Sequence, residues 1–290
     1  MYYNNEYGER KQKLVQIFED TQKFYTTDLI LKDYIQENIE HTVVYDSNEY
    51  PELIETNFIN KKAQIEVNAL RTFESAMQVY KQYGKNVNIG VLNFASATNP
   101  GGGVKKGSSA QEECLCRCST LYPSLSQPKI YQKFYNVNRN MKDCLHTDAI
   151  IYSPNILIIK TDEQFPVRLA TKDWIKVDVL SCAAPNLRDN HNSYADKDSE
   201  CISISDTELY DLHVKRAKHI LHIAAFNKID ILILGAFGCG AFKNNPRVVA
   251  KAYNEALKNY KKYFDKIIFS VFCTQRDMSN FNVFKQFIEV

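Results

Sequence analysis

Between residues 9 and 40 the chain is charged, with apolar residues spaced at Leu14, Ile17, Phe18, Phe24, Leu29, Ile30, Tyr34 and Ile35. Steps of three and four residues place such side chains on one helix face, so one or two amphipathic helices are expected here. Residues 41–60, interrupted by Tyr50-Pro51, read as an irregular connector. From Ala63 the pattern changes. A short strand over Gln64–Val67 leads to a helix over Leu70–Tyr83, with Phe73, Ala76, Met77 and Tyr80 on one face. Ile89–Phe94 is a continuous apolar run of strand length, and a further helix opens near Gln111. Residues 128–147 are helical or irregular, Ile150–Ile159 and Val177–Ala184 read as strands, and the polar stretch Arg188–Ser203 reads as an exposed loop. A long helix (Asp206–Phe226), a strand run (Ile229–Leu234), a helix (Arg247–Tyr263), a strand (Lys266–Phe272) and a short amphipathic helix complete the pattern. Helices alternating with strands rich in Ile, Val and Leu predict an α/β domain whose sheet is covered on both faces.

Composition narrows the class. The chain has 290 residues, 44% hydrophobic and 24% charged, which suits one large domain or one domain with an appended segment. Its net charge of +2 is no general signal for nucleic acid, so an anionic ligand must be met by a local site. The eight cysteines include Cys182 and Cys273 inside apolar runs, a setting for reduced buried thiols rather than a disulfide framework. Residues 1–20 lack the apolar run of a signal peptide, and no stretch approaches the roughly 18 apolar residues that span a bilayer. An intracellular protein, cytoplasmic or nuclear and without membrane contact, is expected.

Two glycine-rich segments, NPGGGVKKGSSA and GAFGCGAFKNNP, each follow a strongly apolar strand and lead into a helix. Ligands of open α/β sheets bind at such strand ends. Gly101, Gly102 and Gly103 lack Cβ atoms, so backbone there can approach a ligand and take positive φ angles. Successive N–H groups before a helix N-terminus suit phosphate oxygens, and the same holds for Gly235, Gly238 and Gly240 around Cys239. Neither segment has the spacing of a P-loop or of a dinucleotide fingerprint. Gln111-Glu112-Glu113 opens the helix directly after the first loop. Neighbours on a helix differ by about 100°, so one carboxylate can hold a ligand hydroxyl while the other reaches the reacting bond. Acidic residues at a helix start also simply complement its dipole, the reading favoured for an isolated pair.

GGGVKKGSSAQEE resembles the signature of microbial-type poly(ADP-ribose) glycohydrolases, a branch of the macrodomain superfamily. VLNFASATNP, CLCRCSTLYPSL, IYSPNILIIK, CAAPN and GAFGCGAFKNNP resemble further family blocks, covering roughly Ala63 to Cys273. The resemblance implies a three-layer α/β/α macrodomain with a mixed sheet over residues 61–290, behind an N-terminal helical extension over 1–60. It implies ADP-ribose as ligand and poly(ADP-ribose), free or on modified proteins, as substrate, with no cofactor, no metal, no sequence-specific nucleic acid and a monomeric state. Asn99, Gly101, Gly102, Gly103, Gln111, Glu112, Gly238, Cys239, Gly240, Ala241 and Phe242 are the implied ligand contacts. Glu112 matches the carboxylate that binds ribose hydroxyls, Glu113 the catalytic one, and Phe242 an aromatic that packs on the distal ribose. Asn68 and Thr72 fall near the implied adenine site, but Leu70 and Arg71 stand where a more polar pair is expected, so no adenine contact is assigned.

Other features carry weaker readings. Cys114, Cys116 and Cys118 suggest a metal cluster, yet on a helix Cys116 faces away from the other two and no histidine follows at zinc spacing. Cys239 between glycines reads as small rather than nucleophilic. His213, His219 and His222 lie on one long helix and read as solvated or half-buried side chains, and Lys105-Lys106 as exposed loop lysines or guides for an anionic polymer. A hydrolase of mono-ADP-ribosylated targets and a binding-only reader of ADP-ribose remain open beside the polymer hydrolase.

Overall fold

A computed structural model describes residues 2–54, 63–141, 143–188 and 204–290. Helices α1 (Tyr2–Thr27) and α2 (Leu29–His41) precede strand β1 (Val43–Tyr45). There follow β2 (Gln64–Asn68), α3 (Thr72–Tyr83), β3 (Ile89–Ala95), α4 (Gln111–Cys118), α5 (Leu121–Leu125) and α6 (Pro128–Ile130). A π-helical turn, Tyr131–Tyr135, joins α6 to α7 (Asn136–Arg139). Then come β4 (Ile150–Ile158), β5 (Ile175–Ala183), α8 (Asp206–Phe226), β6 (Ile231–Leu234), α9 (Pro246–Tyr260), β7 (Lys266–Ser270) and α10 (Ser279–Phe287).

The strands form one seven-stranded mixed sheet in the order β1-β4-β5-β3-β6-β7-β2. Strand β4 runs antiparallel to β1 and β5, and the remaining pairs are parallel. The two-residue repeat of a strand divides the core in two. Val91, Val179, Ile231 and Ile233 face the layer that holds α3, α4 and α5. Leu92, Leu180, Leu232 and Leu234 face the layer of α8, α9 and α10. Covering on both faces explains why β6, Ile-Leu-Ile-Leu, is buried throughout. The result is the three-layer α/β/α architecture expected.

The helix boundaries have local causes. Ser205 Oγ accepts the Glu208 N–H and Glu208 accepts the Ser205 N–H, a reciprocal cap that starts α8 at Asp206. Asn245 caps α9 ahead of Pro246, its side chain accepting from the Arg247 N–H at 3.1 Å. Helix α3 starts two residues later than the pattern suggested, because the Arg71 N–H is taken by Glu74 and the Phe73 N–H by Asp162.

Two expectations change and a third lies almost wholly outside the described residues. The connector 41–60 is not wholly irregular, since Val43–Tyr45 adds an edge strand to β4, while 55–60 lie outside the described residues. The strand expected over Lys266–Phe272 ends at Ser270, and Phe272 turns outward. The loop expected over 188–203 lies, from residue 189, outside the described residues.

Helix α1 packs on the first glycine segment and on α4. Thr21 Oγ1 donates to the Arg117 carbonyl at 2.8 Å, Tyr25 OH donates to the Ser119 carbonyl, and Phe18 meets Tyr122 edge-on at 5.1 Å. Lys160, 1% exposed, donates to the Ile17 carbonyl and pairs with Asp20 at 2.8 Å.

Candidate active site

The carboxyl ends of β3, β5, β6 and β7 open onto two adjoining cavities. The first glycine segment leaves β3 and returns into α4, and Gln111 straps the two together. Its Oε1 accepts the Phe94 N–H at 2.8 Å, and its Nε2 donates to the Leu92 carbonyl and to Thr72 Oγ1. Gln111, expected as a ligand contact, thus spends its amide inside the protein. Glu112 turns back to β3, accepting from the Ser96 N–H at 2.7 Å and from Asn93 Nδ2 at 3.3 Å. Glu113 turns to the loop, where the Gly103 N–H donates to Oε1 at 2.8 Å. Its Oε2 is buried and has no protein partner.

This geometry accounts for the glycines. A Cβ on Gly102 would lie 2.6 Å from Glu113 Oε1 and 3.2 Å from Glu112 Oε2, so the two carboxyls converge on that residue. Gly101 and Gly102 take φ of +66° and +56°, and a Cβ on Gly101 would strike the Tyr122 ring at 2.8 Å. The Gly102 N–H donates to the Asn99 carbonyl. Donors of this loop that the sequence offered to phosphate therefore largely hold the loop and its carboxylates. Asn99 is fixed in turn by Arg139, whose guanidinium donates to Asn99 Oδ1 and to the Thr98 carbonyl, each at 2.7 Å.

The second segment is built differently. The N–H groups of Gly238, Gly240, Ala241 and Phe242 meet no acceptor among the described residues, leaving a concave run of donors at the mouth of β6. Cys239 differs from its neighbours: its N–H donates to the Ala236 carbonyl, its side chain packs into the core, and burial pushes its thiol up. The Arg188 guanidinium lies 5.2 Å over the Phe242 ring.

A cavity of about 640 Å³ is lined by Asn99, Gly102, Gly103, Glu112, Glu113, Tyr122 and Phe242, together with His146, Asn186 and Arg188. A second, of about 330 Å³, is lined by Leu70, Arg71, Thr72, Asp162, Phe272, Gly238 and Gly240. Phe94, Ala110, Ala241 and Phe242 border both. In the smaller cavity Arg71 lies 3.9 Å over the Phe272 ring, and buried Asp162 keeps Oδ1 without a partner. Burial pushes Asp162 up to about 6. Sequence reasoning missed Asp162, Phe272, Arg139 and His146. Only Asp162 left a trace, as a charge at the end of the apolar run ILIIKTD.

Burial perturbs two titratable groups of the larger cavity. Burial, with the charge of Glu113 adding to it, pushes Glu112 up to about 8, although the Ser96 N–H and Asn93 oppose the shift. His146 is pushed down to about 4 by burial and then by Arg216, which keeps its ring neutral.

The weaker features resolve plainly. Cys116 and Cys118 are buried, and burial raises the thiols of all three clustered cysteines. Among the described residues no three His, Cys, Asp or Glu side chains come together to hold a metal ion. His213, His219 and His222, expected as solvated or half-buried side chains, lie deeper than that. All three are buried and each ring has a polar partner: Asn244 for His213, the Asp148 and Glu49 carbonyls for His219, and the Pro51 carbonyl for His222. No helix of the described residues is long and apolar enough to cross a membrane.

A family model described as "Microbial-type PARG, catalytic domain" matches residues 12–161, which include the first glycine segment and both glutamates. The chain belongs to the microbial-type poly(ADP-ribose) glycohydrolase family. It is accordingly an enzyme, a glycohydrolase. Among solved structures it resembles the poly(ADP-ribose) glycohydrolase of Thermomonospora curvata, with 26% identity and a TM-score of 0.78 over 95% of this chain and 99% of that one. The same enzyme bound to the inhibitor ADP-HPD aligns with a TM-score of 0.76 at 26% identity, over the same shares of the two chains. The glycohydrolase of Deinococcus radiodurans in complex with ADP-ribose aligns at 28% identity with a TM-score of 0.71, over 87% of this chain and 95% of that one. No curated protein matches the sequence. The family model ends before the second glycine segment, which only the likeness to the solved glycohydrolases covers.

Proposed function

We propose that this glycohydrolase binds the terminal ADP-ribose of poly(ADP-ribose) and cleaves its ribose–ribose bond from the chain end, with Glu113 as general acid and then base. The observation that carries this reading is the single unpartnered oxygen of Glu113: Oε1 is fixed by the Gly103 N–H, and Oε2 is buried on the cavity wall with nothing to bond. A buried carboxyl oxygen held ready in this way costs stability unless a ligand completes it. The complexes of the Deinococcus radiodurans enzyme with ADP-ribose support that ligand.

The diphosphate takes the free N–H groups of Gly238, Gly240, Ala241 and Phe242 on one side, with Asn99 and Gly101 to Gly103 close by on the other. To act as general acid, Glu113 must carry a proton when the substrate arrives. Glu113 delivers it to the leaving ribose oxygen as the C1″–O bond breaks, and the neighbouring diphosphate stabilises the cationic sugar. Glu112 orients the ribose through its hydroxyls. Water then attacks C1″ and passes a proton to the Glu113 carboxylate, which restores the acid and releases ADP-ribose. Phe242, braced by Arg188, forms the wall on the distal ribose and limits cleavage to terminal units. Residues 61–290 form the ADP-ribose-binding catalytic domain in this reading, with 1–60 a helical extension that braces its first loop, in a monomer.

The test is incubation with long poly(ADP-ribose), resolved by size and scored for free ADP-ribose. Glu113→Gln retains ADP-ribose binding and lowers turnover by about 10²–10⁴-fold. Undiminished turnover in that variant removes Glu113 from the mechanism. Early mid-length oligomers mean internal cutting, and release of a protein-linked single unit shifts the assignment to a mono-ADP-ribosyl hydrolase.

A further inference from the structure

The second glycine segment carries its free donors on four of five consecutive residues, 238–242, without helix or strand, so something must hold its shape. The holding group is Asn244. Its backbone N–H donates to the Gly238 carbonyl at 3.1 Å, and its Nδ2 lies within hydrogen-bond reach of the carbonyls of Pro185, Gly238 and Phe242, at 2.7, 3.1 and 3.2 Å. One side chain thereby ties the start of the turn, its aromatic end and the loop leaving β5. Packing is tight: Gly238 takes φ +75°, and a Cβ there would lie 2.7 Å from Asn244 Nδ2 and 2.8 Å from Ala184 Cβ.

An amide surrounded by carbonyls must place its nitrogen toward them, which leaves Oδ1 on the far side. There Nε2 of His213, on α8, approaches to 2.8 Å. Because Oδ1 can only accept, Nε2 is the ring nitrogen that carries the hydrogen. Burial pushes His213 down to about 4, so at neutral pH this single N–H is all the ring donates. His213 is 2% exposed and packs edge-on to Phe237 at 6.0 Å, with no access to either cavity.

We propose that His213 and Asn244 are positioning residues for the hydrolysis: the His213 imidazole donates to Asn244 Oδ1, and Asn244 holds the Gly238–Phe242 turn so that its N–H groups and the Phe242 ring meet diphosphate and distal ribose. This rests on the ligand reading above and extends it to two side chains that never touch the ligand. The bond orients the asparagine amide, and without it the amide can turn its oxygen toward the carbonyls and push the turn apart. A misplacement of about 1 Å at the reacting ribose costs roughly 10²-fold in rate.

The experiment compares His213→Phe, which keeps the ring's bulk without its donor, with His213→Gln, whose amide N–H reaches the same place. Backbone hydrogen exchange over residues 238–242 is measured without ligand, and kcat/KM on poly(ADP-ribose) is measured well below the melting temperature. H213F is expected to speed exchange in the turn at least tenfold and to lower kcat/KM by about 10- to 100-fold, and H213Q to recover most of both. Wild-type exchange and kinetics in H213F, with only a lower melting temperature, overturn the proposal. Equal impairment in H213Q does so too, since ring packing on Phe237 then matters instead of the bond. Should H213F not fold, N244S replaces it under the same two measurements. If the wild-type protein leaves the polymer intact, the ligand reading fails, while the exchange measurement still decides the role of His213.

Discussion

Gly102 and Glu113 are in contact across the first glycine loop: a methyl group on Gly102 would lie 2.6 Å from Glu113 Oε1 and 3.2 Å from the neighbouring Glu112. The glycine is therefore the surface against which both carboxyls are set. Gly102→Ala also places a side chain at φ +56°, a conformation that costs a non-glycine residue about 1–2 kcal/mol. The variant is expected to fold with a lowered melting temperature and to lose at least about 10²-fold in kcat/KM. Wild-type kinetics would show that the carboxyls yield without cost.

Glu112 gives the protein a pH-dependent stability of definite sign. Its carboxyl is held up to about 8 in the folded chain, against an unfolded value near about 4.3. The folded state thus prefers the protonated acid. Glu112 stabilises fully below about pH 4, loses that contribution progressively as pH rises, and has lost it above about pH 8. Glu112→Gln cannot ionise. The melting temperature of that variant minus that of the wild type should rise by several degrees between pH 4 and 8 and then level off. A difference that stays constant across this range would contradict the buried acid.

ADP-ribose binding is expected to depend on pH through Asp162 in the smaller cavity. With Oδ2 on the Phe73 N–H and Oδ1 unpartnered, it offers one acceptor to a donor such as a base amino group. Held up to about 6 by burial, it is charged above that pH and protonated below. ADP-ribose affinity measured by calorimetry should fall as pH drops through 6. Asp162→Ala should weaken binding by about 10–100-fold at pH 7.5, the range for a lost hydrogen bond to a charged group. Unchanged affinity would place the base elsewhere.

What the sequence made legible and what it hid follow from distance along the chain. The run Ile-Leu-Ile-Leu and the helix Asp206–Phe226 were readable because burial pattern and capping residues are local. The glutamates were readable because they adjoin the glycines they touch. Strand β1 was not, since Val-Val-Tyr has no period and gains its identity from β4, more than 100 residues on. Arg139 and Asp162 reach the site on separate elements, and no spacing connects them to residues 99 or 71. The histidines of α8 show a further limit. A helical wheel gives their direction, but only the fold shows that the glycine turn and the 49–51 segment cover that face.

Helix α1 is expected to matter for catalysis as well as for stability. Phe18 is 1% exposed and packs on Tyr122, which lines the cavity and abuts Gly101. Phe18→Ala should cost about 3–5 kcal/mol in denaturant unfolding. It should also reduce turnover at temperatures where the variant remains folded, because Tyr122 loses its support. Full activity in a destabilised variant would confine α1 to a scaffolding role.

The docking of α1 also sets an order of events at the ribosome. Thr21 bonds to Arg117, 96 residues later, and the Ile17 carbonyl waits for Lys160, 143 residues later. At roughly 5–20 residues per second, the interval before the first partner is translated is about 5–20 s. Through that time Leu14 and Phe18 have no core to enter. The apolar face of α1 thus goes uncovered until the glycine loop and α4 have been made.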